Sequence, residues 1–243
     1  MSAASWALSR TKEDQMREIF RASLDWVVRD AESAAAEARG YQTVQKWRAQ
    51  LEGRISMAAF GASVIPGVHG AGVVLELPYL FYLMGHGAIG TGELGGAKIE
   101  AEADLLAIFA LWSGAINKSA LAAAEGSVVA VNSVAYPAFG AKVLALGFHI
   151  GGKAIAANIG GVAGMAVGYG AGQVGTILQP VFGKVLAKIS AKISAKFGAK
   201  ALFGFVPVFG AAVNVAISLY ILDELLKWAE LYYQHKVKDA GTL

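Results

Sequence analysis

Between Glu125 and Asp223 the chain carries no acidic residue, and seven Lys are the only formal charges over that span. Inside it, Ala154–Gly183 runs for 30 residues with no charge at all, and Ala201–Leu222 for another 22. Earlier, Ile55–Leu75 (21 residues) and Leu77–Gly92 (16 residues) are also uncharged, separated only by the carboxylate of Glu76. Such stretches must be hidden from water. About 18 or more consecutive apolar residues match the bilayer core, whereas shorter runs match buried core helices. The readings open to this chain are therefore membrane spans, an unusually apolar helical core, or a water-soluble form that can insert. The runs are rich in Ala, Gly and Val, not Leu, and two contain a central Pro, which favours helices packed through small residues over simple spans.

Composition narrows the field further. The chain is 56% hydrophobic and 16% charged, against about 25% charged in ordinary soluble domains. That apolar content excludes disorder. With only 5 Pro and no three-residue Gly period, a collagen-like chain is excluded as well. The absence of Cys removes disulfides, thiolate metal sites and Cys nucleophiles. All seven Arg fall within residues 1–54, where nine basic and eight acidic residues mix. The expected organisation is a charged helical hairpin over 1–54 on an apolar helical body over 55–243, all-α throughout. No basic stretch followed by an apolar one opens the chain, so no signal peptide is expected.

In the arm, Ile19, Phe20, Leu24, Val27, Val28, Ala31, Ala35 and Ala38 recur mostly at three- and four-residue steps, one face of a helix ending at Gly40. Val44, Trp47, Leu51 and Ile55 form the face of a second helix. Two breaks interrupt the apolar runs: Pro66-Gly67 in Ile55–Leu75, and Pro207 with Gly210 in Ala201–Leu222. Pro disfavours helix in the residue before it and starts one well, so Pro66, Gly67, Pro207 and Gly210 read as hinges between helical pieces.

Two periodic patterns lie in the acid-free block. Gly160, Gly164, Gly168 and Gly172 fall four apart, on one helix face where another backbone can approach closely, as in a glycine zipper. Lys184, Lys188, Lys192, Lys196 and Lys200 also repeat every four residues, with Val185, Ile189, Ile193 and Phe197 in step. A four-residue step drifts about 40° per repeat, so this ladder winds part way round a basic amphipathic helix. Such helices dock on anionic lipid surfaces. Nucleic acid is the weaker candidate, because the segment has no Arg and one aromatic residue, Phe197. A plain solvated face is the other reading of the ladder, and tight packing in a water-soluble core the other reading of the glycine row.

Signs of catalysis are sparse. The four His are widely separated, and neither HExxH, GxSxG nor a phosphate loop occurs. His69, Glu76 and His86 are the weak candidates for a metal site, with no diagnostic spacing. Glu76, isolated among apolar residues, needs a partner, a proton or water; a structural ion pair is expected before a general base.

One block, Ile65-Pro66-Gly67, Gly70-Ala71-Gly72 and Glu76-Leu77-Pro78, together with a second, Val206-Pro207-Val208-Phe209-Gly210-Ala211-Ala212-Val213-Asn214 ending in Ala229 and Tyr232-Tyr233, resembles the EcsC family of bacterial proteins. The similarity spans roughly 45–235. It departs at Ala88-Ile89-Gly90-Thr91-Gly92-Glu93, where the family has a Tyr-Gly-acidic turn. The family has no established catalytic residues; the resemblance implies a bacterial, membrane-associated helical protein.

Together these readings give an expected function. The chain associates with membranes through the lysine ladder, with anionic lipids as partners. Ala154–Gly183 and Ala201–Leu222 then enter the acyl region, and the glycine row mediates self-association. Conditional insertion or pore formation is the natural extension, at the cytoplasmic side of an inner membrane, with no cofactor. The alternatives are a soluble helical module holding a lipid or other apolar ligand, and a metal-dependent hydrolase.

Overall fold

The computed structural model describes residues 12–64, 71–114, 191 and 207–241. Six helices pack together among the described residues, with no strand: α1 (Lys12–Arg29), α2 (Ala31–Arg39), α3 (Val44–Val64), α4 (Ala71–Leu94), α5 (Ala101–Trp112) and α6 (Pro207–Gly241). The architecture is all-α, as the patterning implies.

The arm departs from a simple hairpin. Its first apolar face is shared by two helices, because the chain turns at Asp30. The Asp30 carboxylate accepts a hydrogen bond from the Tyr82 hydroxyl at 2.7 Å, which ties the α1–α2 corner to α4. Gly40 ends α2, donating its backbone N–H to Glu37. Gln42 then adopts φ 64° in the tight link to α3. Trp47, Leu51 and Ile55 are fully buried, as their spacing predicts. The division drawn between residues 54 and 55 falls inside α3, which runs through it unbroken.

The uncharged run Leu77–Gly92 becomes α4, the central helix, buried on nearly every side from Leu83 to Gly92. It touches α1, α2, α3, α5 and α6. Missing side chains make this possible. A Cβ at Gly85 would lie 2.9 Å from Val27 of α1, and one at Gly87 would lie 2.7 Å from Leu51 of α3 and 2.8 Å from Leu226 of α6. At Gly90 and Gly92 it would meet the rings of Trp47 and Tyr233, each at 2.5 Å. Part of the Gly excess is therefore a set of docking notches in a close-packed core. The helix ends on Gly96 at φ 71°, where the Gly96 N–H bonds Glu93 and the Ala97 N–H bonds Gly92. That is the paired carbonyl capture of a Schellman turn.

Pro207 is the first residue of α6, where a missing N–H costs nothing. Part of the run Ala201–Leu222 lies in α6, with Ala211, Asn214, Ser218, Ile221 and Leu222 buried in the bundle. No helix among the described residues is long and apolar enough to cross a membrane.

Candidate functional site

Polar side chains enter the apolar bundle at three levels, each joined to α4 or to its neighbours. At the first, Glu76 is 3% exposed. Its Oε1 accepts from the Ser218 hydroxyl at 2.6 Å and its Oε2 from Asn214 Nδ2 at 2.8 Å. Asn214 Nδ2 also donates to the Ala59 carbonyl at 2.8 Å, so α3, α4 and α6 meet at one amide. Among the described residues, an amide and a hydroxyl thus donate to this carboxylate. Glu76 and Asn214 come from the two separate blocks singled out above, and the fold puts them in contact.

At the second level His86 lies 2% exposed between Tyr82 and Trp47, with ring centroids 5.2 and 5.4 Å away. Its Nε2 is 3.0 Å from Glu37 Oε2, and its Nδ1 faces Asp30 Oδ2 at 3.8 Å. Arg54 closes the cluster on Glu37, donating through Nη1 and Nη2 to the two carboxylate oxygens. Burial raises the Glu37 carboxyl, but hydrogen bonds and charge from Arg54 and His86 outweigh it and leave the pKa lowered. A depressed carboxylate contributes stability above its unfolded pKa, and that stability is lost as pH falls through the folded value. Burial first, then the bond to Asp30, pushes the Tyr82 hydroxyl up.

At the third level Asp104 has no exposure. Its carboxylate accepts from Lys236 Nζ at 2.7 Å (Oδ1) and 3.0 Å (Oδ2), from the Tyr232 hydroxyl at 2.7 Å, and from the Glu100 backbone N–H at 2.8 Å. The last bond caps α5, with the Asp104 side chain reaching back to the helix start. Burial raises the hydroxyls of Tyr232 and Tyr233 well above their usual range, reinforced by the charge of Asp104. Burial likewise raises Glu100, against the pull of Lys236.

Two of the three metal candidates, Glu76 and His86, are not brought together. Glu76 and His86 stand about 15 Å apart along α4, at 1.5 Å per residue, each in its own network. No group of three or more metal-ligating His or acidic residues occurs among the described residues. His69, Pro66 and Gly67, the glycine row Gly160, Gly164, Gly168 and Gly172, and the ladder Lys184, Lys188, Lys192, Lys196 and Lys200 lie outside the described residues. Pro207 and Gly210 fall in the first turn of α6. The ion pair Asp104–Lys236 and the Asp30–Glu37–His86 cluster were not anticipated from sequence. The available signal was weak: Asp104 stands as the one charge in Ala103–Trp112, the same kind of isolation that drew attention to Glu76.

A cavity of about 580 Å³ lies beside α2. Ala31, Ala35 and Ala36 form one wall and Ala97, Ile99 and Ala101 the other, with Glu32, Arg39, Glu93 and Lys98 also lining it. Arg39 bridges it to Glu93 at 2.7 Å. Compared with known families, curated proteins and solved structures, the chain shows no match.

Proposed function

We propose that this is a membrane-associating helical protein whose partners are anionic lipids. The observation that carries the reading is the acid-free block between Glu125 and Asp223, where seven Lys stand without a single carboxylate. A water-facing surface that mixes its signs gains little from a lipid headgroup, whereas an unbalanced basic helix gains about 1 kcal/mol per basic residue near the surface. The ladder Lys184–Lys200 supplies five such residues at helical spacing. The glycine row Gly160–Gly172 would then mediate helix contact or self-association, and conditional insertion or pore formation follows if that row enters lipid. The same reading includes an EcsC-like relationship, carried by the two sequence blocks that hold Glu76 and Asn214.

Vesicle binding tests this. Lys188→Glu with Lys192→Glu should abolish sedimentation with phosphatidylglycerol-containing vesicles while leaving the far-ultraviolet circular dichroism unchanged. Retained binding in that variant contradicts the ladder as the docking element. Release of entrapped dye by the wild-type chain would support a pore.

The second reading, a helical module holding an apolar ligand, is favoured by the cavity beside α2. Its volume of about 580 Å³ falls within the range of small-ligand pockets, and half of its ten lining residues are alanine, with Glu32, Arg39, Glu93 and Lys98 supplying polar groups. Native mass spectrometry of the purified chain tests it: a retained lipid-sized mass that disappears in Ala35→Trp supports this reading, and a bare chain argues against it.

A further inference from the structure

The aromatic rings around α4 fall into two chemically different groups. In one, Phe20 of α1 packs edge-on against Phe81 of α4 and Phe109 of α5, with centroids 5.0 and 4.9 Å apart. Phe109 in turn meets Trp112. Phenyl rings hold their electrons too tightly to be oxidised by ordinary biological oxidants, so this group serves packing. The other group contains no Phe. Trp26 stacks on Tyr82 at 4.2 Å, Tyr82 meets His86 at 5.2 Å, His86 meets Trp47 at 5.4 Å, and Trp47 meets Tyr41 at 5.4 Å. Centroids this close leave neighbouring rings in van der Waals contact. The series therefore runs unbroken from Trp26, 50% exposed, to Trp47, fully buried. Position 26 lies off the buried face of α1, which Phe20, Leu24 and Val27 occupy. Its ring nonetheless lies nearly flat on Tyr82, at an interplanar angle of 27°.

Indole and phenol are the most readily oxidised rings in a chain without Cys. What sets Tyr82 apart within the series is the partner of its hydroxyl. A phenol that loses an electron becomes a far stronger acid and must shed its proton, and Asp30 Oδ2 stands 2.7 Å away to receive it. In the resting protein, burial and that same bond hold the proton on the Tyr82 oxygen. Trp47 instead donates its indole N–H to the Gly87 carbonyl at 3.1 Å, and an amide oxygen is too weak a base to take the proton. His86 is harder to oxidise than either neighbour and bridges Trp47 to Tyr82.

We propose that this ring series is a conduit for one-electron oxidation, entered at Trp26 and ending as a neutral radical on Tyr82. The co-reactant is a small diffusing radical of the azide or peroxyl type. It takes one electron from the exposed Trp26 ring and leaves as its anion. An electron from Tyr82 then refills Trp26, and the Tyr82 proton passes to Asp30 Oδ2. In sum, phenol, carboxylate and radical give phenoxyl radical, carboxylic acid and anion. A one-electron reductant such as ascorbate resets the site, the proton returning from Asp30 to the Tyr82 oxygen. A hole formed on Trp47 drains to the same place through His86, which spares the core. The activity stands apart from the membrane reading and uses none of its lipid contacts.

Pulse radiolysis of the full chain in azide solution tests this, because the azide radical oxidises indole preferentially. The expected result is a decay of indolyl absorbance matched by growth of phenoxyl absorbance, at a first-order rate that does not change with protein concentration. The chain holds five Trp and eight Tyr, so variants assign the pair. Tyr82→Phe keeps the stacked ring without the hydroxyl and should lower the phenoxyl yield severalfold. Trp26→Phe should slow the phenoxyl growth severalfold, and so should Asp30→Asn, which accepts a hydrogen bond but not a proton. A purely structural role for Tyr82 would leave the yield on the remaining tyrosines untouched, so an unchanged yield in Tyr82→Phe overturns the proposal. If that variant fails to fold, the wild-type chain still decides. A nitroso spin trap captures the phenoxyl radical, and mass spectrometry of the digested adduct locates it. An adduct on Tyr82 supports the conduit; adducts on Tyr232 or other tyrosines without one on Tyr82 overturn it.

Discussion

Replacing Lys236 with Met should be among the most damaging single changes in the bundle, although it puts an apolar residue into an apolar core. Lys236 is 5% exposed and Asp104 is fully buried. In the variant Asp104 keeps the Tyr232 hydroxyl and the Glu100 N–H, but both are neutral dipoles. The Glu100 carboxylate, 3.9 Å from Nζ in the wild type, then faces Asp104 with no cation between them. Breaking a buried pair from one side costs about 3–5 kcal/mol, because a buried charge is left uncompensated. A domain of this size loses about 2–4 °C of melting temperature per kcal/mol, so the expected drop is about 6–20 °C. The control is Lys227→Met. Lys227 pairs with Asp223 on the surface of the same helix, its side chain 65% exposed, and such pairs contribute less than about 1 kcal/mol. Urea unfolding followed by circular dichroism measures both, with the slope checked for constancy. Adding Asp104→Asn to the Lys236→Met chain should recover part of the loss, since a neutral amide still accepts from Tyr232. If Lys236→Met lies within about 1 kcal/mol of Lys227→Met, or if Asp104→Asn makes it worse, the pair is not the charge-compensated core contact described here.

Glu76→Ala should cost at least about 2 kcal/mol in the same assay, because the buried Ser218 hydroxyl and Asn214 amide lose an acceptor; an unchanged midpoint would remove Glu76 from the core network. Glu100→Gln should stabilise the chain near neutral pH by less than about 1 kcal/mol. A carboxyl whose folded pKa is raised destabilises above that value and not below its unfolded one, so the gain over wild type should vanish at and below about pH 4. A gain that persists there would mean that the raised carboxyl is not its source. Raising salt should weaken vesicle binding of the wild type, steeply if the lysine ladder supplies the attraction; salt-independent binding would transfer the attraction to apolar contact alone.

The part of the fold that could be read in the sequence is the part set by periodicity. Trp47, Leu51 and Ile55 were spaced for one buried face and occupy it. Gly40 and Pro207 fall at helix ends, where backbone chemistry puts them. The break at Asp30 was not readable, because the apolar period runs through it unchanged and the turn is held by Tyr82, fifty-two residues away. The docking glycines of α4 were equally hidden: Gly85, Gly87, Gly90 and Gly92 show no single-face spacing, since each receives a side chain from a neighbouring helix. Isolation among apolar residues flagged Glu76 correctly as a residue in need of partners. Two of its partners, Asn214 and Ser218, are polar but uncharged, and charge patterning is blind to them. The cluster at His86 escaped for a similar reason. Its acids, Asp30 and Glu37, lie in a densely charged arm where no single charge stands out.

The most direct test of the central claim is sedimentation of the wild-type chain with two kinds of vesicle, phosphatidylcholine alone and phosphatidylcholine mixed with phosphatidylglycerol, at low ionic strength. The account predicts that the chain pellets with the phosphatidylglycerol vesicles and stays largely in solution with the neutral ones. A chain that remains in the supernatant with both would contradict it.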